Sequence, residues 1–404
     1  MLCMKNLLLF FIGLSIINCQ ATNAFQLPGN PVVYALDMQA LQKNKVRVRA
    51  KDKLIMPAYK MLMNDADKAL AFGPVSVMEK KNIPPSGDKH DYMSLAPYHW
   101  PDPNKPEGLP YIRKDGQTNP EVKEYKDKEY MPKLCADAHT LALAYFFSGE
   151  NKYAEHAAKL IRVWFLDTAT RMNPNLNFAQ AIKGVNTGRG AGMIDTRHFI
   201  KLIDAASLLQ QSAYWKAADH KDLQQWFSEF LYWMQTSKNG MEEMKANNNH
   251  GAWYDAQRLS MALFTDNKDL AKKIVLNAQD RLDKQLDSQG SFPKEMERTT
   301  SLHYTTFVME AFFNIARMAE KTGIDFWNYT SPSGKSLKKA FDVLHPYLTK
   351  EKKWEGQQIK DFNYEDGYSL LMEAAARFNC KQCMNDVQRL ATEKSEQIRF
   401  HLIY

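Results

Sequence analysis

Alternation of apolar and polar residues, the mark of a half-buried strand, is almost absent from this chain, so a sheet does not organise it. Blocks of lysine or arginine are missing too. The net charge of +7 is spread along the sequence, and no DNA- or RNA-recognition motif appears, which excludes nucleic acid as a partner. Leu7 to Ile17 is an apolar run too short to span a bilayer, and no longer one follows, so the mature protein is not expected to cross a membrane. Cysteine is scarce, at five residues. Cys135 lies in an apolar helical stretch and reads as core. Cys380-Lys381-Gln382-Cys383 has the spacing of a redox or half-zinc site. With no second pair and no neighbouring histidine, a metal is not expected, and a local disulfide or two idle thiols is the reading.

What remains is an ordinary globular composition, 45% apolar and 25% charged, with length for one large domain or two to three smaller ones. Aromatics are plentiful at 12%, including 8 Trp and 18 Tyr. Flat rings serve as sugar platforms, but more often they fill cores. The N-terminus reads as an export signal over residues 1–24, with Thr22-Asn23-Ala24 before Phe25 offering the small residues that a signal peptidase reads. Ile16-Ile17-Asn18-Cys19 is a competing, imperfect lipobox that would put a lipid anchor on Cys19. The mature chain, 25–404, is then expected to be periplasmic or secreted, or an outer-membrane lipoprotein.

Helical periodicity runs from about Gln39 to Leu70. It then stops for a long segment, about 73–128, rich in Pro, Gly, Asp and Tyr. Aromatic density argues against disorder there, and an ordered loop over the mouth of the domain is expected. From Met131 onward helical patterns follow one another: Leu134–Phe147, Ala154–Phe165, Arg197–Ser212, Lys221–Thr236, Gly251–Phe264, Lys268–Leu286, Leu302–Lys321, Gly334–Leu348, Gly367–Phe378 and Met384–Phe400. Helix pairs with short links but no crisp repeat motif point to an all-α fold. A closed α/α toroid of helical hairpins is expected, its cleft built from loops and helix ends on one face.

Two stretches carry the chemistry. In Asn247-Asn248-Asn249-His250-Gly251-Ala252-Trp253-Tyr254 three amides run into a histidine, the side chain best suited to moving a proton near neutral pH. On a helix starting there, Tyr254 falls one turn beyond His250, and Gly251 allows a close approach of backbone or ligand. The plainer reading is a polar helix cap with a bystander histidine. The second stretch, Glu295 to Tyr304, supplies Arg298, His303 and Tyr304. Arg298 and Tyr304 converge if the helix begins near Thr299 or Thr300, whereas His303 and Tyr304 point about 100° apart. A third run, Lys183 to His198, has three closely spaced glycines but neither the preceding strand nor the spacing of a nucleotide loop. Placing Arg189 and Arg197 over a carboxylate fits it better. No cofactor is called for.

These ingredients suit β-elimination on a uronic acid polymer. That reaction needs the carboxylate neutralised so that the C5 proton can leave, a base at C5, and an acid for O4. Hydrolysis instead needs two opposed carboxylic acids, and no acidic pair is as well framed. Asn248-Asn249-His250 with Trp253-Tyr254, and Arg298 and Tyr304 downstream, resembles the alginate lyase superfamily, whose fold is an α/α toroid. Asp91–Pro103 and Gly188–Asp195 resemble its secreted alginate-lyase-like members, and the likeness extends over about residues 60–350. It implies that Asn249 neutralises the carboxylate, His250 and Tyr304 move protons, and Arg298 assists. Candidate substrate contacts are Asn248, Tyr254, Arg189, Arg197, His198, His303 and the loop residues Tyr98, His99 and Trp100. The arginine-to-tyrosine spacing is one residue shorter than in the alginate lyases proper, and Gly-Ala-Trp-Tyr replaces their sequence after the histidine. A sister family acting on poly-mannuronate or β-1,4-glucuronan is therefore implied, with an acidic polysaccharide as partner. The alternatives are a glycoside hydrolase on the same fold and a non-catalytic glycan-binding surface protein.

Overall fold

The computed structural model describes residues 31–390 and 396–404; the expected signal and the Cys19 anchor lie outside them. Two short helices come first, α1 (Met38–Arg49) and α2 (Met56–Ala69). The sequence reading had one stretch here. Lys51 takes a left-handed φ of 54° and Pro57 opens α2, so the chain turns between them. Asp37 starts α1 by accepting from the backbone N–H of Gln39 and Ala40, the usual way of satisfying the first free donors of a helix.

The remaining helices are α3 (Asp127–Ser148), α4 (Asn151–Ile161), α5 (Phe199–Leu209), α6 (Ala217–Thr236), α7 (Lys238–Met244), α8 (Asn249–Phe264) and α9 (Lys268–Gln285). They are followed by α10 (Pro293–Met296), α11 (Ser301–Ala319), α12 (Leu337–Leu348), α13 (Tyr368–Arg377) and α14 (Lys381–Leu390), with a 3-10 turn at Glu396–Leu402. Helix α3 starts seven residues before the expected Leu134, carrying Pro132 within it, and ends on Gly149 at φ 77°, the left-handed stop that glycine tolerates. Packing runs α3 to α5, α5 to α8, α8 to α11 and α11 to α13, which forms an inner ring. Outside it, α2 and α4 lie on α3, α6 and α9 on α8, α12 on α11 and α14 on α13. This is the expected α/α toroid. Inner helices bury two faces, which is why α8 and α11 are buried nearly all round instead of showing one clean stripe.

The segment 73–128 is ordered, as expected, but it is not structureless. It contributes three strands to two small sheets. β1 (Met93–Leu95) pairs in parallel with β4 (Phe178–Ala181), and β2 (His99–Trp100) pairs antiparallel with β3 (Ile112–Arg113). Buried carboxylates fasten it down. Asp195 accepts from Tyr92 Oη at 3.1 Å, Ser94 Oγ at 2.8 Å and Gln180 Nε2 at 3.0 Å, and pairs with Lys128. Asp127 meets the buried Lys80 at 3.0 Å. The glycine-rich run serves packing: a Cβ on Gly188 would strike the Asn177 carbonyl, and one on Gly192 would strike Ala179.

Cys380 and Cys383 form a disulfide, and Cys135 is buried. Folding brings His345, invisible as a neighbour in the sequence, to 3.9 Å from Cys383 Sγ, where its Nε2 already meets Asp386 at 2.9 Å. Among the described residues no helix is long and apolar enough to cross a membrane.

Candidate active site

A cavity of about 890 Å³ runs down the axis of the ring, large for a small-molecule pocket and roomy enough for an oligosaccharide. Its mouth is built where the N-termini of α8 and α11 meet the 97–99 turn of the long loop. Asn248 caps α8, its Oδ1 accepting the His250 N–H at 3.2 Å, so the cap reading and the functional one are both satisfied by the same residue. Helix α8 then presents Asn249 and His250 in its first turn. Gly251 is required beside them, because a Cβ there would strike the Ala246 carbonyl and the Arg281 guanidinium.

Each of these two side chains has a buried carboxylate behind it. Glu243, on α7, sits 2.6 Å from His250 Nδ1. A carboxylate in that place accepts the Nδ1 proton and leaves Nε2 with its lone pair. Glu295, on α10, accepts from the Asn249 backbone N at 2.6 Å and from its Nδ2 at 2.8 Å, which fixes the amide orientation. Burial pushes the Glu295 carboxyl up, against the hydrogen bonds from Asn249 that favour its charge. Asn249 Oδ1, Arg189 Nε and His99 Nδ1 are buried without a partner among the described residues. All three residues line the cavity, and unpaired polar atoms at a cavity wall are what a polar ligand would satisfy.

Across the mouth stands Tyr304. The helix α11 begins at Ser301, which leaves Arg298 in the lead-in, and the two converge: the guanidinium lies 3.5 Å from the centroid of the Tyr304 ring. Arg298 is held in turn by Asp115 of the long loop, through Nε at 3.1 Å and Nη2 at 2.7 Å. Burial would raise the Asp115 acid, but hydrogen bonds from Arg298 and Thr299 together with the Arg298 charge hold it well below the usual carboxylate range. Tyr304 Oη shares a 2.8 Å hydrogen bond with Tyr98 Oη. Burial first, and then Tyr98, push the Tyr304 phenol far above its ordinary value, while the Arg298 charge works the other way. Burial, with Arg189 and Arg113 nearby, lowers the His99 imidazole to about 4, so His99 is neutral at ordinary pH.

The other candidates divide. Asn248, Tyr98, His99, Arg189, Arg197, His198 and His303 line the cavity. His303 joins Tyr304 there despite the expected divergence, the two rings sitting edge to face at 5.5 Å, because the wall is broader than one side chain. Two candidates are corrected. Tyr254 is fully buried and donates its hydroxyl to the Met234 carbonyl at 2.8 Å, because one turn below His250 the helix already packs on α6. Trp100 is pinned off the cavity wall by Nε1 donating to the Gln117 carbonyl at 2.9 Å. The sequence reading assigned no role to Glu243, Glu295 or Asp115. They come from other elements and carry no periodic signal relative to the residues they hold.

The alginate lyase family profile matches residues 76–354. The crystal structure of an alginate lyase from Bacteroides ovatus is 41% identical over 93% of this chain and 99% of that one, with a TM-score of 0.88. Alginate lyase A1-III from Sphingomonas species A1 shares 15% identity over 93% of this chain and 96% of its own, with a TM-score of 0.55. A tetrasaccharide complex of A1-III gives 15% and 0.57 over the same shares; these two likenesses speak for the fold. None of the curated proteins matches. The chain belongs to the alginate lyase family, and it is a polysaccharide lyase.

Proposed function

We propose that the protein is an exported lyase that cleaves 1,4-linked uronans, poly-mannuronate or β-1,4-glucuronan, by β-elimination at the mouth of the cavity. The observation that carries this reading is a histidine backed by a buried carboxylate and a tyrosine paired with a second tyrosine on the wall of one cavity. In this reading His250 donates its Nδ1–H to Glu243 at 2.6 Å and offers the Nε2 lone pair as the base. Tyr304 keeps its proton because burial and Tyr98 disfavour the phenolate.

In this reading the substrate carboxyl meets Asn249 and Arg189. Glu295 takes one Asn249 N–H, and the amide's other N–H is left for the carboxylate, so that charge developing on it is met by a fixed donor. His250 Nε2 takes the C5 proton, the electron pair forms the C4–C5 double bond, and the bond from C4 to O4 breaks. The Tyr304 proton goes to the departing O4. Arg298, lying over the Tyr304 ring, steadies the phenolate until a proton returns. Glu243 and Glu295 are engaged behind His250 and Asn249, so neither is free to act as the acid or base of a hydrolysis. Export rests on the 1–24 segment, and the N-terminal residue of protein purified from the source cell tests it.

Wild-type protein given a panel of uronans should produce the near-ultraviolet absorbance of an unsaturated uronate. His250→Ala and Tyr304→Phe should reduce it to a small residual rate with folding intact. No absorbance from folded wild type on any uronan refutes the reading, and full activity in both variants refutes the assignment.

A further inference from the structure

The cavity does not end at the reacting groups. Helix α11 turns one face to it along His303, Phe307, Glu310, Asn314 and Arg317. From Tyr304 to Arg317 that face descends about 20 Å at the rise of an α-helix. Helix α5 lines the same cavity through Ile200, Lys201 and Asp204. Arg197, just before α5, lies 5.3 Å from the Phe307 ring centroid. At the foot, Asp204 of α5 accepts the backbone N–H groups of Tyr34, Ala35 and Leu36, while Arg317 donates to the Ala35 carbonyl at 2.9 Å. The floor is closed by Ala35, Leu36, Phe400, Ile403 and Tyr404. The interior is thus a blind chamber with the chemistry at its open end.

Midway down stands Lys201. Its side chain is exposed to the cavity, and the protein walls around that space push its ammonium down. Among the described residues it makes no hydrogen bond or ion pair. Of the cations around it, Arg317 is matched by Glu373 at 2.6 Å, Arg399 by Asp65 at 3.2 Å and Lys128 by Asp195, while Arg197 donates to the Ile194 carbonyl at 3.1 Å. An ammonium that opens on a cavity without an ion-pair partner leaves a place for an anion. The carboxylate facing it, Glu310, makes no ion pair within reach, and burial raises its acid to about 7, so it only partly offsets the lysine.

We propose that Lys201 anchors the carboxylate of a sugar beyond the reacting one, in an inner subsite that receives the end of a uronan chain. The inference rests on the uronan reading for its substrate. It assigns the blind chamber to the leading sugars and gives the enzyme a preference for charged over neutral 1,4-linked chains that does not depend on the reacting carboxylate alone.

Binding tests this separately from catalysis. In Tyr304→Phe, which the proposed chemistry leaves with a small residual rate, calorimetry compares a short oligouronate with a neutral β-1,4-gluco-oligomer of equal length. Adding Lys201→Met should weaken the oligouronate about ten-fold or more, as expected for losing an enclosed charge pair, and leave the neutral oligomer unchanged. Lys201→Arg should restore most of the loss. The melting temperature of Lys201→Met should hold or rise, because the lone charge is gone. Equal weakening of both oligomers with a lower melting temperature would make Lys201 structural and overturn the inference. Unchanged oligouronate affinity would overturn it while leaving the lyase reading in place. A wild type that cleaves no uronan refutes the lyase reading, and the binding comparison still decides Lys201.

Discussion

Exchanging Glu243 for glutamine is the sharpest test of how the site works. Glu243 touches His250 Nδ1 at 2.6 Å and is only 3% exposed, so the carboxylate is shielded from water and the exchange is nearly isosteric. Two things are lost. The bond drops from charge-assisted to neutral, and the amide can turn its NH2 toward Nδ1, which would favour the tautomer with the proton on Nε2, where the base is needed. A hydrogen bond to a charged group is worth about 1.5–3 kcal/mol. At about 1.4 kcal/mol per factor of ten, kcat should fall roughly 10- to 150-fold, with KM within about two-fold because the carboxylate acts through His250. The assay is the initial rate of unsaturated product on uronan, with the ¹⁵N shifts of His250 reporting the tautomer. In a His250→Ala background the same exchange should cost nothing more, since it has no imidazole left to orient. Wild-type kcat in Glu243→Gln, or a further ten-fold loss on top of His250→Ala, would refute the orienting role.

Three further outcomes follow from the same geometry. Arg298→Lys keeps the charge but loses the fork that grips Asp115 and the flat face over Tyr304, so kcat should drop about 10- to 100-fold, at the scale of about 1.5–3 kcal/mol for a charged hydrogen bond; a change within two-fold would deny the arginine its place. Gly251→Ala should lower stability by about 1–3 kcal/mol, the usual cost of overpacking, because the new methyl meets the Ala246 carbonyl and Arg281; an unchanged denaturation midpoint would refute the packing argument. Oligouronate affinity in Tyr304→Phe should fall as pH rises through about 7, where Glu310 ionises. Burial raises the Glu310 acid more than Lys201, Arg197 and Arg317 lower it, and Asp366 adds to the rise. An anion binds better beside the neutral acid, so binding takes up a proton and weakens with pH. Glu310→Gln should flatten the profile, and a profile that stays sloped would locate the titration elsewhere.

What could be read in the chain and what could not divide along a physical line. The ring of helices was legible because periodicity is local: each helix announces its buried face within its own residues, and the absence of alternation left nothing else for the core to be. The mouth was half legible. Asn249 and His250 are adjacent, and Arg298 and Tyr304 are six residues apart, so short-range spacing brought both pairs within reach of argument. Tyr254 misled for the same reason. Spacing by one turn puts it under His250, but only the position of α6 decides that the turn above faces the cleft and the turn below faces Met234.

The pairings that set protonation were not legible, because nothing local marks them, and Tyr98 was expected only as a substrate contact. Glu243 reaches His250 from α7, Asp115 reaches Arg298 from 183 residues away, and Tyr98 reaches Tyr304 from 206. The latter two lie in the segment 73–128, which shows no periodicity and reads as a mere cover. Its role is larger than that. By bringing Asp115 under the arginine and Tyr98 against the phenol, the loop fixes both the position and the protonation of the group proposed to feed the leaving oxygen. Asp195, Asp127 and Lys80, all buried, are the means by which a segment poor in regular structure is held to the tolerance that proton transfer demands. The ring supplies one half of the site and the loop tunes the other, and neither half is chemically complete without its partner.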